Sequence, residues 1–204
     1  FTEVRYLAHA KQMQALELIP QIAAEFKQAF GRDSGGLVRP YRIEDAETVV
    51  VALGSLLGTI KDTVDQLRDE GHKIGVLGIS SFRPFPIPDI RDALEKTQRI
   101  VVVEKCFAVG IGGIVSRDVR MALRNRPQPV STVVAGLGGR AVTVASLRKM
   151  LLDAAADKLE PLTFLDLDWS IVNKQLERDR QKRRSGPIAE AVLRDIGVIA
   201  AKMV

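Results

Sequence analysis

Three times along this chain a short, strongly apolar β-type run ends in small residues and passes directly into a segment of helical period. The junctions are Leu53-Gly54-Ser55-Leu56-Leu57-Gly58-Thr59, Glu104 to Gly113, and Ala135-Gly136-Leu137-Gly138-Gly139-Arg140. Strand-then-helix alternation calls for a parallel sheet, because the helix is the crossover that lets the next strand run in the same direction. In open α/β sheets the loops at the carboxyl ends of the strands carry binding or docking. Glycines there let the backbone turn, and each following helix exposes unpaired N–H groups. Function is therefore expected along one edge, with Gly54, Ser55, Glu104, Gly112, Gly113, Gly138, Gly139 and Arg140 as candidate loop residues.

The strands read as Glu47 to Leu53, Lys73 to Ile79, Arg99 to Glu104 and Pro129 to Ala135, β-branched runs without alternation, as expected when both faces are covered. Helices follow: Ile60, Val64 and Leu67 up to Gly71; Pro88-Asp89 with Ile90, Ala93 and Leu94; Gly112 to Leu123; and, after Thr143 as a cap, Leu147 and Leu151. The expected core is an open, mostly parallel, doubly wound sheet of flavodoxin-like type with right-handed crossovers. Ahead of it, Leu16, Ile19, Ile22, Phe26 and Phe30 mark a long helix ending at Gly31, which Pro20 should kink or divide. Arg32 to Arg42 reads as a loop. After it, Pro161 to Leu165 is a candidate edge strand. Ser185-Gly186-Pro187 opens a terminal helix with the stripe Ile188, Val192, Ile196, Ile199 and Met203. The organisation is thus residues 1–45 as connector helix and loop, 46–160 as the α/β domain and 161–204 as a C-terminal extension.

With 46% hydrophobic and 27% charged residues and no apolar run near the roughly 20 residues of a membrane span, a soluble cytoplasmic protein is expected. Phe1-Thr2-Glu3-Val4-Arg5 is neither a secretion signal nor an initiator methionine, so residue 1 is read as an internal boundary. Of the net charge of +5, the run from Lys174 to Arg184 contributes +4. Without interleaved aromatics, that run reads as a solvated helix face rather than a nucleic-acid site. The single cysteine, Cys106, excludes an internal disulfide and the multi-cysteine sets of iron–sulfur and zinc sites, and is expected buried and inert.

The residues alone supply no catalyst and no metal ligand set. His9 and His72 have no Ser or Cys partner at local spacing, no GxxxxGK[ST] occurs, and Gly110-Ile111-Gly112-Gly113 lacks dinucleotide-loop spacing. Glu104 reads as a general acid or base or, better, as a hydrogen-bond acceptor for a helix or loop. Phe82-Arg83-Pro84-Phe85-Pro86-Ile87-Pro88 is a proline-stiffened loop; it either presents Phe82, Arg83 and Phe85 to a partner or uses the phenylalanines as core anchors.

An ordered set of motifs resembles a known family. It comprises Tyr41-Arg42 with Glu44-Asp45-Ala46; Gly54-Ser55 with Gly58-Thr59; Phe82 to Pro86; Gly112-Gly113 with Asp118-Val119 and Ala122-Leu123; and Gly136 to Arg140 with Val142-Thr143. Together they resemble the second domain of 2-oxoacid:ferredoxin oxidoreductases of the pyruvate synthase type, which is similar to the transketolase C-terminal domain. The resemblance implies a parent enzyme that converts a 2-oxoacid and coenzyme A into acyl-CoA and carbon dioxide and reduces ferredoxin or flavodoxin. It also implies thiamine diphosphate, magnesium and iron–sulfur clusters in that enzyme. The chain has no GDG…N stretch and no cluster cysteines, and it carries Glu104-Lys105 where many family members have Asp-Arg. The implied role is non-catalytic: an assembly domain in an oligomer, meeting other domains and subunits through its strand-end loops, with no nucleic acid and no membrane. Two alternatives are the C-terminal domain of a pyruvate dehydrogenase β subunit or transketolase-like enzyme, and a stand-alone nucleotide- or anion-binding module.

Overall fold

The structure is a computed structural model and describes residues 1–182 together with 192, 196 and 197. The chain divides into two compact units, Phe1–Leu165 and Asp166–Val204. In the first unit, helix α1 (Thr2–Phe30) is followed by β1 (Val38–Tyr41), β2 (Thr48–Leu53), α2 (Leu56–Asp69), β3 (Ile74–Ile79) and α3 (Ile87–Ala93). Then come β4 (Arg99–Glu104), α4 (Val115–Ala122), β5 (Val130–Val134), α5 (Val144–Ala155) and β6 (Leu162–Phe164). The second unit contains α6 (Trp169–Lys182). Arg183 and Arg184, Ser185-Gly186-Pro187, and Ile188, Ile199 and Met203 of the expected terminal stripe lie outside the described residues. Among the described residues no helix is long and apolar enough to cross a membrane.

The sheet order is β1-β3-β2-β4-β5-β6, parallel throughout except for β1, which pairs antiparallel with β3. Strand alternation divides each apolar run between two cores. Val50, Ala52, Val101, Val103 and Val133 join α2 and α5 on one face, through Ile60, Val64, Leu67, Leu147 and Leu151. On the other, Val49, Val51, Ile100 and Val102 join α3 and α4 through Ile90, Leu94, Val115 and Val119. Each fully buried Val, Leu or Ile in these layers contributes about 1.5–3 kcal/mol, so the sheet needs both layers to stand. The α/β, doubly wound architecture expected from the sequence is present, and the cap of α5 is as expected: Thr143 Oγ1 accepts the Ser146 N–H at 3.1 Å.

Three local expectations are corrected. Arg32–Arg42 is not all loop, since Val38–Tyr41 form β1. An outermost strand tolerates Pro40, because one side of its backbone has no ladder partner for a proline to deprive. Of the two outcomes expected at Pro20, a kink or a division, division does not occur: α1 runs unbroken from Thr2 to Phe30 with no buried residue, and on so exposed a helix water replaces the donor that proline lacks. The crossovers, finally, do not share one hand. Moving from β2 to β3 uses α2 on one face, and moving the opposite way from β4 to β5 uses α4 on the other, so these two share one hand. The move from β5 to β6 continues in the β4-to-β5 direction but uses α5 on the α2 face, so it has the opposite hand. The loop before α5 permits this return: Gly136, Gly138 and Gly139 all take positive φ, a conformation open to glycine at little cost.

Candidate strand-end docking edge

The carboxyl ends of β2 and β4 lie side by side where the chain reverses its order across the sheet, with the loops diverging to α2 on one face and α4 on the other. Gly54 turns at φ 74° and Ser55 precedes α2; both are exposed, and the Ser55 side chain does not cap the helix. At the end of β4, Glu104 is 3% exposed. One carboxylate oxygen accepts the N–H groups of Ile114 and Val115 at 2.7 and 2.8 Å, and the other accepts that of Ser116 at 3.1 Å. A strand-end side chain thus satisfies three orphan donors of α4, and its charge lies at the positive end of the helix dipole. The acceptor reading of Glu104 holds, and the geometry leaves little of its carboxylate for acid–base work. A Cβ at Gly113 would overlap Glu104 Oε1 and come within 2.5 Å of Ser116 Oγ, so this close approach requires glycine. Gly112 is buried beside it, at φ 105°.

The proline-rich loop after β3 turns inward more than outward. Phe85 is a core residue, 7% exposed, and Phe82 is half-buried against the same core, their rings meeting edge to face at 6.4 Å. Presentation of Phe85 to a partner is thereby corrected, because its ring is already buried in the sheet core. Arg83 stays exposed, with its guanidinium 4.2 Å from the Phe82 ring centre and 2.8 Å from Asp118 of α4. Two pieces of the motif set, Phe82 to Pro86 and Gly113 with Asp118, are therefore physically joined. Another piece is a clamp: Tyr41 OH donates to Asp65 at 2.8–2.9 Å, Arg42 pairs with Asp65 at 2.6 Å, and Arg68 donates to Asp45 and to the carbonyls of Arg42 and Ile74. It pins the end of β1 and the following loop to α2, which is a structural role.

After β5, Leu137, Gly138, Gly139 and Arg140 are exposed, and the Lys105 side chain from the neighbouring loop lies over Gly136. Cys106 is exposed, against the buried expectation: the apolar run ends at Val103, and two residues later the chain has already left the sheet. The sequence reading passed over Val109 and Ile111, which stand 88% and 63% exposed between Ala108 and Gly112. Their signal was a loop in which apolar residues flank Gly110, where polar residues are usual. The described concavities on the sheet open at its opposite, amino edge, where a cavity of about 250 Å³ is lined by residues including Arg99, Ser131 and Asp157. Arg99 holds Asp157 there by two hydrogen bonds of 2.6 and 2.8 Å, which keep the Asp157 carboxyl below its usual range. At the carboxyl edge, by contrast, Gly54, Ser55, Val109, Ile111 and Leu137 to Arg140 are exposed.

The donor set fits neither an iron–sulfur cluster nor, among the described residues, a metal ion held by three protein side chains. Among the described residues no three His, Cys, Asp or Glu side chains converge to hold a metal ion, and one cysteine cannot ligate a cluster that takes several thiolates.

Residues 46–147 match the family model described as pyruvate:ferredoxin oxidoreductase core domain II. The chain is 40% identical over 154 residues to the pyruvate synthase subunit PorA of Methanosarcina barkeri, covering 74% of this chain and 38% of the relative. It is 39% identical over 178 residues to PorA of Pyrococcus abyssi, covering 86% and 45%. Similarity to the ketoisovalerate oxidoreductase subunit VorA of Pyrococcus horikoshii is 36% over 156 residues, covering 75% and 39%. The chain thus spans less than half the length of these curated relatives. The matched stretch runs from just before β2 into α5 and contains the Glu104-to-α4 cap and the clamped Phe82 loop, so this chain belongs to the pyruvate:ferredoxin oxidoreductase core domain II family.

Proposed function

We propose that this chain is a non-catalytic assembly domain of a thiamine diphosphate-dependent 2-oxoacid:ferredoxin or flavodoxin oxidoreductase, with pyruvate as the 2-oxoacid. The observation that carries the reading is the family match over residues 46–147, supported by the buried Glu104 carboxylate at the strand ends being occupied in capping a helix. The parent enzyme would convert the 2-oxoacid and coenzyme A to acyl-CoA and carbon dioxide and reduce the carrier protein. Thiamine diphosphate, magnesium and the iron–sulfur clusters would be held by its other domains or subunits. On this reading residues 1–45 connect to a neighbouring domain, 46–160 form the docking body and 161–204 extend it, within a cytoplasmic oligomer. Pyruvate is favoured because the PorA relatives are pyruvate synthase subunits.

The test is purification of the native protein with its co-purifying subunits, followed by viologen reduction driven by pyruvate plus coenzyme A. Coenzyme-dependent reduction by a complex containing this chain is expected. A lone polypeptide, or reduction indifferent to coenzyme A, would refute the reading.

A further inference from the structure

Val109 and Ile111 stand at the tip of a loop that is fixed at its base. The Ala108 N–H donates to Gly112 O at 2.7 Å, and the Gly112 and Ile111 N–H groups donate to Ala108 O at 2.9 and 3.1 Å. One limb is anchored by Phe107, whose ring meets Phe164 edge to face at 5.0 Å. The other is anchored by the Glu104 carboxylate through the N–H groups of Ile114, Val115 and Ser116, with Gly113 clearing the space. The tip itself, Val109-Gly110-Ile111, has no polar side chain. An apolar pair already held in one geometry loses little conformational freedom on burial, so its contact area converts efficiently into affinity.

Resting on the assembly reading above, we infer that Val109 and Ile111 form a preformed knob that inserts into an apolar pocket on another domain of the parent oxidoreductase, and that Glu104 is the positioning residue that holds it. Relatives of this chain carry more than half their length outside the matched stretch, so a neighbouring domain is a partner that such proteins possess. A nucleotide or other anion would find no side-chain donor at the tip. Packing against an apolar surface is what Val and Ile offer.

The experiment uses the native enzyme with its subunits and two variants, Val109→Ser combined with Ile111→Ser, and Glu104→Gln. Amide hydrogen exchange is followed residue by residue, alongside pyruvate-driven viologen reduction and sedimentation. In the unmodified assembly the amides of Val109 and Gly110 should be protected. The double variant should raise their exchange about tenfold or more while β2 and β4 stay protected, because two apolar groups leave the pocket. Glu104→Gln should speed exchange at Ile114, Val115 and Ser116 and loosen the tip as well, although the tip sequence is unchanged. Tip amides that exchange freely in an active assembly would overturn this inference and leave the assembly reading standing. Loss of a dimer of this chain in the double variant would also overturn it, naming a second copy as the occupant. An isolated polypeptide with no pyruvate-driven reduction would refute both.

Discussion

Helices α1 and α2 carry the same kind of sequence signal and meet opposite ends. Both repeat apolar residues at three and four, yet Leu56, Ile60, Val64 and Leu67 of α2 are buried, whereas α1 buries nothing over 29 residues. On α1, Leu7, Leu18, Ile22 and Phe30 are each more than half exposed. Period identifies the face that seeks cover; it does not say that the cover belongs to the same chain. For α2 the cover is the sheet and α5, and for α1 the described chain supplies none that buries a residue.

The comparison is sharpest at Leu67, fully buried between the sheet and α5. Leu67→Ala should cost about 2–5 kcal/mol in denaturant unfolding, with an unchanged slope, because a cavity adds to the lost transfer energy. A cost under about 1 kcal/mol would mean that the α2 layer is plastic and that the contrast with α1 is one of degree. A polar version of the same contrast is Glu104. The N-terminus of α4 is satisfied by its own chain, so Glu104→Ala should cost about 2–3 kcal/mol by leaving donors of buried residues without partners. An unchanged melting curve would show that water enters the site and that the cap is dispensable.

What was legible in the sequence follows the same division. Runs such as Thr48–Leu53 and Arg99–Glu104 were readable because both faces are covered locally, and Thr143 because a cap is a contact between near neighbours. β1 was not, since Gly35, Gly36 and Pro40 spell a loop and only the open edge of β3 makes Val38–Tyr41 a strand. Among the edge candidates, Gly112, Gly113 and Glu104 lie in the stretch after β4, and only the fold joins them into one device. Phe85 turned inward, and Val109 went unseen because side-chain direction in a loop depends on anchors such as Phe107–Phe164, distant in sequence. The hand of the last crossover is likewise set by which face α5 finds free beside α2.

Electrostatics offers a smaller handle on the α2 side. Hydrogen bonds from Arg68 to Asp45 and from Arg148 to Glu70 hold both carboxyls below their ordinary values, as Arg99 does for Asp157. Folded pKa values below unfolded ones mean that the unfolded chain binds more protons as pH falls, so the stabilisation is complete above the ordinary carboxylate value of about 4 and is lost beneath it. The carboxylates of these pairs are exposed, so water screens them and their contribution is modest. Unfolding midpoints measured from pH 6 down to pH 3 should fall, and Arg148→Met should flatten part of the slope. A slope unaltered by that variant would remove the Glu70 pair from the account.

The smallest effect is expected on α1, and it decides whether the opening contrast is real. Leu18 and Ile22 are one helical turn apart and are 52% and 60% exposed. Replacing both with alanine removes apolar surface that the folded chain does not cover and substitutes the residue of highest helix propensity. Stability of the chain should therefore change by no more than about 0.5 kcal/mol. A loss near that of Leu67→Ala would mean that α1 folds against its own domain in solution, and the helix would then be part of the core. A null effect in the chain alone, joined to weakened association in the native complex, would instead assign the α1 face to a partner, because only a surface buried elsewhere can matter there and not here.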